Sequence, residues 1–477
     1  DAAKGGADTT TTSDSVVDGE SSDASADVDV VVEPPKEDFW VIYARRNRLP
    51  GTNENELILT DKDNPKAITN ASSFGSGLNP IDKKTAAIEL TKYSFKKAGN
   101  LNCDLGCELS DNLKYVAIAD SGPTTKGYSY KLGTLNDKLE LFFKFGGLED
   151  VADLHFAGDK LFYSKARNCF DTQKCQYEIR VRDMGGTDGD QLLTVMAPDT
   201  DKDVNDVVTH TTYTGRFQVD REGKTLVFLT TTIRSVKVWA WRAGVVHQLD
   251  YICEHPLDND TCVGTGSQYH DDDEVGISPD GLTVVLFTIV DRSLRARRYS
   301  ISSPATPTFS DLVTVPAGGK YLDDICFNLS SWQHAEVKSR PAFSADGKTV
   351  YFLGHSDCTG TEEKKWSDLM SIEVAQIGKP ITEKDITNYT KNPRDNSTDN
   401  LWIRDFRISP ERKFFALSAS CQIGSSGDKL PDTDKRQTSD TEIFVMPIGK
   451  GAKAVQITNE GKYHALLPRA IVPVALQ

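Results

Sequence analysis

What this sequence lacks narrows its function before any motif is read. No run of about 18 apolar residues occurs, so no segment is suited to cross a bilayer as a helix. There is no Gly-x-Ser-x-Gly elbow, no His-Glu-x-x-His pair and no Walker loop. Gly264-Thr265-Gly266 lacks both the third glycine and the strand-turn-helix setting of a dinucleotide site. Basic surface is also short: 55 Lys and Arg stand against 70 Asp and Glu, and only Arg292, Arg295, Arg297 and Arg298 cluster. With no basic stripe to follow a phosphate backbone, nucleic acid is not an expected partner.

What is present is a degenerate repeat. Its clearest copy is FSADGKTVYFLG, Phe343 to Gly354, and others start at Gly276, Phe217, Phe406, Cys107 and, more worn, Leu154. In each, a short apolar strand meets a polar turn and then an alternating apolar strand, which is the hairpin pattern. Gly347, Gly281 and Gly223 stand where the turn needs φ > 0, which glycine reaches without a Cβ clash. A second strand pair follows each hairpin, from Asp368, Thr441, Tyr177 and Asn55, giving four strands per unit.

One such sheet cannot bury both faces alone and must stack on neighbours, so the expected fold is an all-β propeller of four-stranded antiparallel blades. The first unit, from Asp38, has no innermost strand before it, whereas ALLPRAIVPVALQ is left over at the end. The C-terminal strand is therefore expected to join the first blade and close the ring. Counted this way there are seven blades: 38 to 69 plus 463 to 477, 103 to 146, 147 to 197, 208 to 252, 270 to 316, 334 to 382 and 400 to 458. Six or eight are the alternatives, because the 147 to 197 unit is weak.

The Phe-Ser-x-Asp-Gly-Lys hairpin, with a downstream Ile-Thr as in Gln456 to Thr458 and Pro380 to Thr382, resembles the TolB-like propeller repeats of bacterial secreted proteins and lipoproteins. The resemblance covers residues 38 to 477 at the level of repeats, and implies a fold more than a function. No Trp-Asp dipeptide occurs, so WD-repeat propellers match less well. Peptidases with similar propellers append a hydrolase domain, and none is expected among these residues.

Residues 1 to 37 read as an acidic Ser/Thr-rich spacer. The first 38 residues hold eleven Asp or Glu against two Lys, nine of the fifteen net negative charges, and almost no large apolar side chain to offset ordering entropy. The absence of an initiator methionine at Asp1 suggests a removed signal peptide, and the spacer resembles a lipoprotein tether. The nine cysteines include pairs spaced by four, six and nine, namely Cys103 with Cys107, Cys169 with Cys175 and Cys253 with Cys262. These spacings suit local disulfides rather than zinc and imply an extracytoplasmic, oxidising compartment, the periplasm or cell surface of a bacterium. Cys326 is expected to pair with Cys358, leaving Cys421 free. Glycosylation sequons stand at Asn70, Asn328, Asn388 and Asn396.

Nearly all long loops, 70 to 102, 198 to 213, 252 to 272, 316 to 338, 354 to 367 and 419 to 440, fall on one face of such a ring, which makes that face the expected functional one. Tolerated insertion is the bland alternative. On that face Asp199, Asp201, Asp203 and Asn205 place oxygens at alternate positions, as calcium loops do, although Val204 replaces the turn glycine and His210 stands where a glutamate is usual. Calcium is the one cofactor expected there, against a merely solvated acidic loop. His210, His270, His334 and His464 recur before the innermost-strand turns, as a channel-mouth metal site or as strand caps. His270-Asp271-Asp272-Asp273-Glu274 reads as a solvated rim.

The leading expectation is a noncatalytic extracytoplasmic propeller, lipid-tethered, that binds a protein or cell-envelope polymer on its loop-rich face. A second is a structural subunit of a surface assembly, whose Val28 to Val32 stretch adds as a strand to a neighbour's sheet. A third is a calcium-dependent propeller hydrolase.

Overall fold

The computed structural model describes residues 37–47, 55–59, 93–96, 101–102, 107–119, 128–135, 141–167, 176–186, 189–196, 200–202, 208–210, 216–231, 235–253, 273–290, 293–315, 340–355, 367–390, 401–421, 441–449, 454–456 and 463–473. Its described segments are β-structure, apart from turns and two short 3-10 turns at Val374–Gln376 and Glu383–Asp385. The sheets follow one another in chain order.

The first sheet holds β1 (Glu37–Asn47), β2 (Asn55–Leu59), β3 (Tyr93–Lys96) and β4 (Leu101–Asn102). A seven-stranded sheet follows in strict order, β5 (Cys107–Leu109), β6 (Tyr115–Ala119), β7 (Tyr128–Leu135), β8 (Leu141–Ala157), β9 (Lys160–Arg167), β10 (Gln176–Asp183) and β11 (Gln191–Met196). It is two four-stranded units sharing β8, whose residues 141–151 pair with β7 and whose residues 151–157 pair with β9. The strand turns at Asp150, which has a φ of 56°. The unit that is weakest in the sequence, 147 to 197, thus has its four strands.

A small hairpin, β12 (Thr200–Lys202) with β13 (Val208–His210), precedes three further sheets. These are β14 (Phe217–Val219), β15 (Thr225–Thr231), β16 (Ser235–Arg242) and β17 (Val245–Cys253); then β18 (Glu274–Ile277), β19 (Thr283–Val290) and β20 (Ser293–Ser300) with β21 (Thr308–Phe309) and β22 (Val313–Thr314); then β23 (Ala342–Phe343), β24 (Thr349–His355), β25 (Ser367–Glu373) and β26 (Ile386–Asn388). The last holds β27 (Leu401–Ile408), β28 (Phe414–Cys421), β29 (Thr441–Pro447) and β30 (Val455–Gln456). Finally β31 (Tyr463–Pro473) pairs antiparallel with β1, from Phe39 against Pro473 to Asn47 against Tyr463. It also packs on β27, β28 and β29 and touches β5.

Two outer strands depart from the sequence expectation. The first unit does not end near residue 69 in the described structure: β2 takes β4 as its outer partner, and β3 runs parallel to β1, so this sheet is not purely antiparallel. In the sixth unit Pro380 to Thr382 is not a strand. Gly378, at a φ of 100° and packed on Ser310, turns the chain away, and the Thr382 N–H and hydroxyl both donate to Asp385 Oδ2, each at 2.7 Å, to start a 3-10 turn. The outer strand is β26, six residues later than expected. There Asn388 Nδ2 donates to Asp368 Oδ2 at 2.8 Å, which ties that sequon side chain into the sheet rather than offering it to a glycan.

The repeated turn has a shared hydrogen-bond scheme. The serine N–H bonds to the carbonyl five residues on, as in Ser344 to Thr349 at 2.8 Å and Ser278 to Thr283 at 2.8 Å. The serine hydroxyl donates to the aspartate two residues later, Ser344 to Asp346 Oδ1 at 2.6 Å, and accepts the Thr349 N–H at 3.0 Å. The fourth residue takes positive φ: 69° at Gly223, 68° at Gly281 and 69° at Gly347. Where glycine is missing the conformation persists, at 55° for Leu113 and 54° for Arg412.

Sheets from β5 onward whose side chains are described contribute apolar residues to the cores on both of their faces, which explains the near-continuous apolar strands. Successive side chains on a strand point to opposite faces. In β19, Val284 and Leu286 join a core with Val227, Leu229 and Val238 of the preceding sheet, while Val285 and Phe287 join Phe343, Val350 and Phe352 of the following one. Likewise Phe162 of β9 packs with Phe217 and Phe228, whereas Leu161 and Tyr163 pack with Ala117 and Leu132. Cys253 is disulfide-bonded. Cys107 and Cys421 lie at strand ends, and the other six cysteines lie outside the described residues.

Candidate functional site

The first strands of six units are β5, the end of β8, β14, β18, β23 and β27, and residues at their ends line one cavity of about 220 Å³. The residue before the last apolar position of each strand is Glu108, His155, Gln218, Gly276, Ala342 or Arg407, and of these all but Gly276 line the cavity. Gly276 is needed for packing instead, since a Cβ there would lie 3.0 Å from Pro341 Cβ. Two residues earlier, and so on the same side of each strand, come Asp153, Arg216, Glu274, Arg340 and Asp405, alternating in charge from unit to unit.

Arg340 organises this set. From two residues before β23 it reaches residues of two other units: Nη2 donates to Asp153 Oδ1 at 2.6 Å, and Nη1 lies 3.2 Å from the Phe217 carbonyl and 3.3 Å from His155 Nδ1. Asp153 Oδ2 accepts the Phe217 N–H at 3.1 Å, and the Phe217 ring meets His155 edge-on with centroids 5.0 Å apart. Arg216 pairs with Glu274 at 2.6 Å, and Arg407 lies 4.0 Å from Glu108.

Burial alone would push the Asp153 carboxyl up, but the Arg340 guanidinium, His155 and the hydrogen bonds from Arg340 and Phe217 hold it below the usual carboxylate range. Burial and then the Arg340 charge pull the His155 imidazole from 6.5 down to about 3, against the attraction of Asp153. The histidine is therefore neutral at ordinary pH. Toward the turns, Arg412 donates to the Phe343 carbonyl. Asp111 is reachable by solvent yet crowded by protein, which raises its carboxyl despite Arg221 and Arg412. Burial, with Arg221 adding to it, lowers Arg412 against the pull of Asp111.

The residues singled out in the sequence fall elsewhere. Asp201 lies in β12, opposite Thr209, and His210 ends β13, opposite Thr200. His464 lies in β31, opposite Arg46. Asp199, Asp203, Asn205, His270 and His334 lie outside the described residues. Among the described residues no three His, Cys, Asp or Glu side chains gather as metal ligands. Sequence reasoning passed over His155, Arg340 and Asp153. A partial signal was available: three residues before the last apolar position of the hairpin strand, Asp153, Arg216, Glu274, Arg340 and Asp405 are all charged, where a plain edge strand would tolerate anything.

No known protein-family model matches the chain, and comparison with curated proteins finds no match. Solved structures do resemble it at low identity. A Bacteroides uniformis protein with a provisional 6-phosphogluconolactonase name is 10% identical with a TM-score of 0.45, over 91% of this chain and 99% of that one. A Sulfolobus tokodaii protein with a provisional selenium-binding name is 9% identical with a TM-score of 0.47, over 93% and 94%. TolB from Acinetobacter baumannii is 11% identical with a TM-score of 0.37, over 76% and 67%.

Proposed function

We propose that residues 38 to 477 form a seven-bladed propeller of the TolB-like repeat type, closed by β31 on the first blade, and that it acts as a noncatalytic extracytoplasmic binding protein. Its partner on this reading is a protein or envelope polymer, held at the face that bears the long loops. Closure is supported by β31 itself, which pairs with the first strand while packing on β27 to β29 of the last sheet. The noncatalytic reading rests on one observation: the two ionisable groups that Arg340 binds, His155 and Asp153, are each held in a single protonation state. His155 is held neutral with a pKa of about 3, and Asp153 is held ionised by Arg340. Neither is poised to take up and return a proton near neutrality, as general acid–base work requires.

The test shortens residues 356–366 and 422–440 to Gly-Ser linkers in the full chain and compares retention of envelope components by immobilised protein. Loss of one specific component, with an unchanged unfolding midpoint, is the expected result. Retention indifferent to both loops, or turnover of a lactone or phosphoester panel that disappears in His155→Gln, would sink this reading.

A further inference from the structure

The central cavity has donors to spare and few acceptors to match. Arginine only donates, so the Arg340 contact makes His155 Nδ1 an acceptor and leaves the ring proton on Nε2. That nitrogen lies 3.4 Å from Asp153 Oδ2 without forming an aligned hydrogen bond. Gln218 Nε2 and Arg407 Nε are buried and also have no hydrogen-bond partner among the described residues. Two nearby carboxylates already hold other donors. Asp153 Oδ1 takes Arg340 and the Leu154 N–H, its Oδ2 takes the Phe217 N–H, and Asp220 Oδ1 takes the N–H groups of Lys224 and Thr225.

Buried donors without acceptors are rare in folded proteins, so three on one cavity call for something that accepts. We propose that this cavity binds a small oxyanion, a phosphate or carboxylate group, through Gln218 Nε2, Arg407 Nε and His155 Nε2–H.

The three donors come from three different strands, β14, β27 and β8, and the lining adds Arg221, Arg340 and Arg412. Arg340 is already paired with Asp153, so Arg221, Arg407 and Arg412 stand against three carboxylates, Glu108, Asp111 and Asp220, and the preference for an oxyanion rests on the unpartnered donors, which one ion with several acceptor oxygens can satisfy together. Size restricts the ligand further: about 220 Å³ is smaller than the roughly 300–1,000 Å³ of pockets that enclose drug-sized molecules. The site suits an ion of a few heavy atoms or one charged end of a longer molecule. It does not depend on what the loop-rich face binds.

Calorimetric titration of the full chain, in buffer free of phosphate and carboxylates, tests this with inorganic phosphate and with succinate, and with chloride at matched ionic strength as control. One saturable site for phosphate or succinate is expected, the tighter probe showing which oxyanion chemistry the site prefers. Gln218→Leu and Arg407→Met should each weaken that site by about tenfold or more. Thermal unfolding without anion checks that each variant is folded, and Gln218→Leu, which removes no charge, carries the test if Arg407→Met is not. Absence of saturable binding by either probe, an effect reproduced by chloride, or affinity unchanged in the folded variants would overturn the proposal.

Discussion

At the scale of single residues, Arg340 and His155 make opposite demands on the same buried space. Arg340 compensates Asp153, so replacing it with methionine leaves a buried carboxylate alone and should cost roughly 3–5 kcal/mol in urea unfolding. Adding Asp153→Asn to that variant should recover part of the loss, because the stranded charge goes with it. A loss in the double variant equal to the two single losses summed would show that the two side chains do not interact.

His155 sets a pH dependence. Its folded pKa of about 3 lies below the ordinary 6.5, so the unfolded chain binds the proton first. Stability is then full above pH 6.5 and declines as pH falls toward 3, by about 1.4 kcal/mol per pH unit from this group. Asp153 acts in the same direction but lower, with its contribution present above its ordinary 3.8 and lost as pH falls beyond it. Denaturant unfolding between pH 7 and pH 4 should show a shallower slope for His155→Gln than for the parent; identical slopes would contradict the buried neutral imidazole.

At the scale of elements, the turn was legible because its chemistry is local: a serine, an aspartate and a glycine within four residues specify the hydrogen bonds and the positive φ. Neighbouring sheets then make equivalent glycines unequal. A methyl on Gly347 would meet nothing nearer than Ser278 Cβ at 3.6 Å, whereas at Gly281 a Cβ would lie 2.7 Å from Asp220 Oδ2 and 2.8 Å from Thr225 Oγ1. Gly347→Ala should therefore cost only the left-handed strain, about 1–2 kcal/mol, while Gly281→Ala adds an overpacking cost of roughly 1–3 kcal/mol. Equal shifts in thermal midpoint would refute that distinction. Outer strands were less legible. Ile-Thr at 381–382 has the right β propensity, but the turn at Gly378 and the Thr382–Asp385 contact remove it from the ladder. The central network was not legible as a motif. Glu108, His155, Gln218 and Arg407 share a geometric position and no common chemistry, and Arg340 finds its partners some 123 to 187 residues away in sequence.

At the scale of the whole molecule, stacking of sheets was foreseeable from strands apolar on both faces, since Val284 to Phe287 has no solvent side to offer. If β31 closes the ring, ending the chain at Lys462 should abolish cooperative urea unfolding, and a peptide of residues 463–477 added in trans should restore it. An unaltered midpoint in the shortened chain would argue for an open stack. One strand, β8, runs 17 residues from the edge rung of one unit into the inner rung of the next without leaving the ladder. Those two units hang on a common rail with no slack, so whatever peels one must drag the other, and the pair would fail under load as a single piece.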